Sequence, residues 1–435
     1  MVDWTKLPDL GAVALLTCAF GSVARRGQTP VSRIWLIGWL MIALHFAAFI
    51  FASVPGFWGT LAAVIGTDAL VWAGVLFIWA CVPYRNRLSS RWMLVALLFT
   101  NTLYVSLIST MPRAAWALVP AAALFGALPL AIALASLRRF THPLRWVLVT
   151  LYGTLAAFLL MVQLTPNGDD LALNGVLFTV YLGCCLHFWY AYRRSTAGAF
   201  VTIAGFLAWA AVFLVAPILS AFLPSWHIES EVWNLPKYVV AVGMILLLLE
   251  DQIEDNKYLA LHDDLTGLPN RRLFQDRLAN GLERARRSGE RAALLLIDLD
   301  RFKQVNDTVG HHVGDLLLKR VGEIFLARIR RCDTVARTGG DEFSVILEEP
   351  VSREDAERVS AALIKLLEEP QKLDGHTVYI SASVGVAVFP EDASTPESLC
   401  IAADIQMYAE KRGSRSTAAD RLVRPPLIPT ENLSA

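Results

Sequence analysis

The residues best suited to chemistry lie in Arg337-Thr338-Gly339-Gly340-Asp341-Glu342-Phe343, where two acids follow two glycines. Glycine lets a backbone come close to a ligand, and paired carboxylates beside that gap suit Mg²⁺ holding a nucleotide phosphate. The same four residues also suit the charged tip of an ordinary hairpin, so the surroundings decide. A second pair of acids, Asp298 and Asp300, closes the apolar run 292–299. A buried strand that delivers carboxylates at its C-terminal end is a common way to present metal ligands. Acids spaced i, i+2 share one face of a regular strand, and Leu299 between them faces the other way. A third group follows in Phe302, Lys303, Asn306, Gly310, His311, Gly314 and Asp315. Asn306 offers a donor and an acceptor, and Asp315 can accept two parallel N–H bonds, as from a guanine edge. Lys303 is placed to neutralise phosphate charge.

These groups need elements to hold them. Val335 and Ala336 before the glycines, with Phe343, Val345 and Leu347 alternating after them, predict strand, tight turn, strand. Residues 292–300 predict a fully buried strand, and 302–315 a helix behind it. The segment His262-Asp263-Asp264-Leu265-Thr266-Gly267-Leu268-Pro269-Asn270-Arg271-Arg272 ends one helix in a turn and starts another.

The rest of the chain has a different character. It has 435 residues, 55% of them hydrophobic, and a mean hydropathy of +0.47, too apolar for an ordinary soluble protein. Residues 1–250 carry 14 Lys and Arg against 8 Asp and Glu, and the remainder carries 25 against 31. A mildly basic apolar half thus precedes an acidic, water-soluble half, and neither has the basic patch of a nucleic-acid binder. The six cysteines show no CxxC spacing, which argues against a zinc site or a disulfide framework. A spanning helix needs about 20 mostly apolar residues. Nine runs qualify, near 9–24, 34–53, 58–82, 92–111, 114–137, 146–164, 171–191, 197–223 and 232–250, the first being the shortest and weakest. Alternate connections carry the arginines: Arg25, Arg26 and Arg33; Arg85, Arg87 and Arg91; Arg138, Arg139 and Arg145; Arg193 and Arg194. By the positive-inside rule these face the cytoplasm, the N-terminus lies outside and the chain after Leu249 lies inside. With eight spans, the first run lying on the cytoplasmic face, the same loops would stay inside. The short connections leave a stimulus to be perceived within the bilayer or at its surface. His45, Asp68, Asn101 and His187 are the polar residues read at membrane depth, and each is a candidate for function or interhelical bonding. Trp35, Trp92 and Trp146, at span starts, are expected to mark the interfaces.

Between the halves, Leu249, Ile253, Asn256 and Ala260 follow the 4-3-4 spacing of a short two-stranded coiled coil. The expected organisation is a multi-span domain over 1–250, a helical connector over 250–262, a soluble domain over 263–418 and a disordered tail over 419–435.

The soluble half resembles the GGDEF domain of the diguanylate cyclase family. The resemblance rests on Asp263-x-Leu265-Thr266-Gly267-Leu268-x-Asn270-Arg271-Arg272, Asp298-x-Asp300-x-Phe302-Lys303-x-x-Asn306-Asp307 and Gly310-His311-x-x-Gly314-Asp315. It continues in Arg337-x-Gly339-Gly340-Asp341-Glu342-Phe343, Ser383-Val384-Gly385-Val386-Ala387 and Ala403-Asp404-x-x-Met407-Tyr408-x-x-Lys411. It implies an α+β cyclase-like palm, an antiparallel sheet backed by helices, attached here to an α-helical polytopic membrane domain. It also implies condensation of two GTP into cyclic di-GMP with release of pyrophosphate, in a homodimer. The apolar runs and the arginine pattern add the expected setting, the lipid bilayer of the cell inner membrane with the catalytic domain cytoplasmic. Asp298, the Leu299 carbonyl, Asp341 and Glu342 would bind Mg²⁺ or Mn²⁺, with Asp341, Glu342 and Lys303 catalytic. Phe302, Asn306, Asp315, Gly339, Gly340, Lys411 and Arg415 would bind substrate. Arg330 and Asp333 match the family's product-inhibition site. Thr338, Glu410 and Ser414-Arg415-Ser416 depart from the usual pattern without removing a charged catalytic group. The alternative is a catalytically weak GGDEF protein acting as a membrane receptor for cyclic di-GMP, against which the retained acids count.

Overall fold

The computed structural model describes residues 2–27, 29–82, 88–111, 114–137, 143–163, 165, 168–192, 196–223, 230–348, 351–414 and 423–424. These form two compact units, Met1–Ile253 and Glu254–Ala435.

The first unit is all helix: α1 (Leu7–Gly27), α2 (Pro30–Ala52), α3 (Phe57–Ala80), α4 (Leu88–Thr110), α5 (Ala115–Ser136), α6 (Leu144–Val162), α7 (Gly168–Ala191), α8 (Ala197–Phe222) and α9 (Ser230–Leu261). Among the described residues, nine helices are long and apolar enough to cross a membrane. This is a multi-pass membrane architecture. Small residues let the helices meet: a Cβ on Gly243 of α9 would lie 2.6 Å from the Thr202 backbone nitrogen of α8. The interior is aromatic, with Tyr181 and Trp209 stacked at 3.8 Å between ring centroids. Trp35 is buried and stacks on Phe188 at 5.3 Å, whereas Trp92 and Trp146 are exposed. Trp35 therefore fills the core instead of marking an interface, because its ring finds an aromatic partner inside. The arginines at 85, 87, 138, 139, 193 and 194 lie outside the described residues.

Two of the four polar residues read at membrane depth are bonded to each other: Asn101 Nδ2 on α4 donates to Asp68 Oδ1 on α3 at 2.9 Å, and both are buried. His45 Nδ1 bonds the Gly66 carbonyl, and His187 Nδ1 the Gly183 carbonyl, both at 2.8 Å. The histidines line separate cavities, of about 270 Å³ for His45 and about 860 Å³ for His187. Among the described residues no cluster of three or more His, Cys, Asp or Glu side chains is gathered to cage a metal.

The second unit comprises α10 (Arg271–Ser288), β1 (Ala292–Asp300), α11 (Phe302–Val309), α12 (His311–Arg328), β2 (Thr334–Arg337), β3 (Glu342–Leu347), α13 (Arg353–Glu368), β4 (Gln371–Leu373), β5 (His376–Val378), β6 (Ser381–Phe389), α14 (Pro396–Ser414) and β7 (Val423–Arg424). The main sheet runs β2-β3-β1-β6 and is antiparallel throughout. It is the antiparallel, helix-backed sheet that the resemblance implied. Alternation along β1 divides the core. Leu295, Ile297 and Leu299 pack with α11, α12 and α13, whereas Leu294 and Leu296 pack with α10 and α14. Each such leucine contributes about 1.5–3 kcal/mol on burial.

Side chains close the β6 edge of the main sheet. As an edge strand, β6 would present bare N–H groups. Val384, Val386 and Val388 N–H donate instead to Glu410 (2.7 Å), Gln406 (3.2 Å) and Asp392 (2.7 Å). Glycine at 385 lets α14 lie directly on β6, since a Cβ there would sit 1.8 Å from the Ala403 carbonyl oxygen. Asn270 caps two helices, accepting from Arg272 and Leu273 N–H at the start of α10 and donating to the Ala260 carbonyl at the end of α9. The single helix expected over 302–315 is two helices, because Gly310 breaks it at φ +90°, a left-handed conformation that favours glycine. The tail expected over 419–435 lies outside the described residues, apart from Val423–Arg424, which pairs with β5.

Candidate active site

The acids converge because β1 and β3 are neighbours. Asp298 lies opposite Glu342 in the register, and Leu299 N–H donates to the Asp341 carbonyl at 3.1 Å. β1 stays paired through Asp300, so both of its acids keep the face shared with α14. Lys411 Nζ, from α14, meets Asp298 Oδ1 at 2.7 Å, and Ser383 Oγ donates to Asp300 Oδ1 at 2.8 Å. Burial, together with the neighbouring Asp298, lifts the Asp300 carboxyl above its usual range despite the Ser383 hydroxyl. The turn from β1 into α11 passes through Arg301 at φ +59°, a strained position for a non-glycine residue.

Thr338 to Asp341 make the bend between β2 and β3, as the alternation predicted. Neither glycine of the bend is left-handed. A Cβ on Gly339 would meet the Glu342 carboxylate at 2.5 Å, so glycine here lets Glu342 fold over the turn. Gly340 has no neighbour within 4 Å of such a Cβ, which leaves open space beside its backbone. Thr338 uses its hydroxyl on Ser344 Oγ at 3.0 Å, which gives the departure at 338 a structural role.

Arg337 fixes the bend. It donates to the Gly340 carbonyl through Nε (3.2 Å) and Nη2 (2.7 Å), and through Nη1 to both oxygens of Asp263 (2.9 and 3.1 Å). Burial would raise the Asp263 carboxyl. The Thr266 hydroxyl, the Arg337 guanidinium and the Thr266 N–H outweigh it and hold the group below its usual range. The turn of acids is thus tied to the segment that leaves α9. The sequence held both residues inside motifs but gave no sign that they meet.

Asn306 lies against Gly314, where a Cβ would stand 1.8 Å from its Oδ1. That Oδ1 is buried without a hydrogen-bond partner among the described residues, an arrangement that suits an incoming N–H donor. Phe302 is buried beneath it, while Lys303 and Asp315 are exposed. Arg330 is exposed; Asp333 accepts Arg330 N–H on Oδ2 and Glu348 N–H on Oδ1, both at 3.0 Å, so its carboxylate is held rigidly by the turn. Arg415 lies outside the described residues.

The donors gathered at the strand ends are hard oxygens: Asp298, Asp341, Glu342 and the Leu299 carbonyl. That set fits Mg²⁺, which is held by one or two carboxylates plus substrate phosphates and does not need a closed protein cage.

Residues 260–417 match the family described as "Diguanylate cyclase, GGDEF domain". Among curated proteins, the bifunctional diguanylate cyclase/cyclic di-GMP phosphodiesterase MucR of Pseudomonas aeruginosa is 42% identical over 195 residues, covering 41% of this chain and 28% of MucR. Diguanylate cyclase TpbB of the same organism is 42% identical over 170 residues, 39% of each chain. The chain therefore spans well under half the length of these relatives. A solved structure of TpbB comprising only its GGDEF domain is 44% identical, covering 35% of this chain and 89% of that one, with a TM-score of 0.34. The coiled coil and GGDEF domain of DgcB from Caulobacter crescentus, solved with c-di-GMP, is 26% identical over 41% of this chain and 95% of that one, with a TM-score of 0.39. Residues 260–417 are a GGDEF domain, joined here to a multi-pass helical membrane unit.

Proposed function

We propose that this chain is a membrane-bound diguanylate cyclase that condenses two GTP into cyclic di-GMP and two pyrophosphates. The observation that carries the proposal is the gathering of Asp298, Asp341 and Glu342 at one sheet end, beside the open backbone of Gly340. Asn306, with its unpartnered Oδ1, and Asp315 read guanine. Gly339 and Gly340 let the triphosphate lie on the backbone, and Lys303, Lys411 and Arg415 neutralise its charge. Asp298, the Leu299 carbonyl, Asp341 and Glu342 would hold Mg²⁺ or Mn²⁺, which when bound screens the triphosphate and stabilises charge developing on the leaving pyrophosphate. The Asp341–Glu342 pair takes the proton from a ribose 3′-hydroxyl. That oxygen forms a bond to the α-phosphorus of the GTP on a second subunit, the bond to the β-phosphate bridge breaks, and pyrophosphate leaves. Such chemistry depends chiefly on positioning and charge.

Each domain holds one GTP, so two must face each other. Pairing along α9 is supported by Ile253, Asn256 and Ala260, all exposed. Product inhibition fits Arg330, whose exposed guanidinium has no hydrogen bond or ion pair among the described residues, beside the rigid Asp333 carboxylate. The alternating arginine-rich connections support an inner-membrane location with the GGDEF domain in the cytoplasm.

The test is to incubate the purified full chain with GTP and Mg²⁺ and follow cyclic di-GMP. Wild type is expected to make product and Glu342→Gln to lose activity by about a hundredfold or more while still folding. Absence of product from demonstrably dimeric wild-type protein would refute the proposal.

A further inference from the structure

The membrane unit buries a cation that the catalytic domain does not use. Lys237, on α9, is 7% exposed and lines the cavity of about 270 Å³. Its ammonium donates to Asn234 Oδ1 at 2.5 Å and lies 4.8 Å from the centre of the Phe46 ring and 5.9 Å from that of Trp209. That is its single hydrogen bond among the described residues, although an ammonium carries three donors. The nearby acid is committed elsewhere: Asp9 accepts from Asn234 Nδ2 at 2.7 Å and from the Tyr238 hydroxyl at 2.8 Å. Asn234 therefore stands between the two charges, and the positive one is left on the cavity wall. A charge buried at membrane depth is costly and marks a functional site by default.

The rest of the wall sets the shape of an occupant. Trp209, Phe213 and Trp233 give it flat apolar sides, and besides Lys237 its polar lining is Asn234, Thr67 and His45, whose Nδ1 is taken by the Gly66 carbonyl. The volume falls just below the roughly 300–1,000 Å³ of drug-sized sites, so the occupant is compact. We propose that this cavity binds a small organic carboxylate with an apolar or aromatic body, its anionic end on Lys237. Asp9 lies near the start of α1, Leu173 near the start of α7 and Lys237 near the start of α9. By the arginine pattern that end of the bundle faces away from the cytoplasm, so the carboxylate arrives from outside. α9 runs unbroken from Ser230 to Leu261, so the helix that grips the anion is the one that leads to the GGDEF domain. The inference concerns binding and stands whether or not the cyclase proposal does.

The experiment is isothermal titration of the full chain in lipid nanodiscs with phenylacetate, and with phenylacetamide, its neutral counterpart. Phenylacetate is expected to bind saturably, and the amide to bind about thirtyfold more weakly or worse. Lys237→Met is expected to reduce phenylacetate affinity to that of the amide. Absence of saturable phenylacetate binding overturns the proposal, as does equal affinity for acid and amide. The acid–amide comparison is made on wild-type protein, so it decides the matter even if Lys237→Met fails to fold. A folded Lys237→Met variant that binds phenylacetate like wild type overturns it too.

Discussion

Arg337 is where local stability and catalytic geometry are most directly coupled. Arg337→Ala removes two contacts to Asp263 and two to the Gly340 carbonyl. The side chains are 12% and 24% exposed, between the surface and buried cases. Exposed pairs contribute about 0–1 kcal/mol, and breaking buried ones costs about 3–5 kcal/mol. Asp263 keeps its Thr266 donors after the substitution, so we expect a loss of about 2 kcal/mol. Urea unfolding of the Glu254–Ala435 unit reads this as a lower midpoint with unchanged slope. The freed bend misplaces Asp341 and Glu342, and a misplacement of about 1 Å is expected to cost roughly a hundredfold in turnover. Lysine offers a point charge in place of a fork, so Arg337→Lys should recover only a small part of either loss. Asp263→Asn should cost a comparable amount, and the double variant little more, because both remove one interaction. The pH dependence has a definite sign. Asp263 is held below its unfolded value of about 3.9. Its stabilisation is therefore complete above about pH 4 and is lost as pH falls through the folded value, a slope that Asp263→Asn should flatten. Additive losses in the double variant, or a wild-type midpoint and turnover in Arg337→Ala, would refute the reasoning.

Asn306→Ala should raise the KM for GTP about tenfold to a hundredfold with an unchanged unfolding midpoint, since its Oδ1 has no hydrogen-bond partner to lose among the described residues; a lowered midpoint with unchanged KM would assign it to the fold. Arg330→Ala should relieve inhibition by added cyclic di-GMP in initial-rate assays while leaving uninhibited turnover near wild type, and unchanged inhibition would make Arg330 an ordinary surface residue. Gly385→Ala places a Cβ 1.8 Å from the Ala403 carbonyl oxygen and 2.6 Å from Met407 N, so α14 must shift. The expected destabilisation is about 3 kcal/mol, together with lost turnover because α14 carries Lys411; an unchanged melting temperature would contradict the close packing.

What was legible in the sequence was what neighbouring residues decide. The bend at 338–341 could be read from two glycines and the alternation after them. The strand period put Asp298 and Asp300 on one face only for a strand that stays regular to its end, and the pairing of β1 through Asp300 supplies that condition. Contacts across the fold could not be read in this way. Arg337 and Asp263 are 74 positions apart, and Lys411 and Asp298 are 113 apart. No local pattern announces that an arginine beside the turn also holds the segment leaving α9. The break at Gly310 was hidden because helical residues continue on both sides and only the backbone angle separates α11 from α12. Lys237 carries no signal in the sequence, because a single lysine near the start of an apolar run looks like an interfacial anchor. Its meaning depends on Asn234 and on Asp9, which is 225 positions from Asn234.

Glu410 shows how a departure from pattern can be resolved. The departure puts an acid, where the family pattern has a small residue, directly before Lys411. In the fold, its Oε2 accepts from Val384 N–H at 2.7 Å. That N–H belongs to the outer edge of β6, which among the described residues has no further strand to receive it. Gln406, one helical turn earlier, does the same for Val386. The two side chains therefore act as the missing strand, and the negative charge of Glu410 is directed at the sheet edge. Lys411, next in sequence, points to Asp298 and the site. α14 thus separates two tasks on adjacent residues, closing an edge with one and supplying a cation with the other. The substitution at 410 is accounted for by the architecture of β6 and calls for no loss of function at 411.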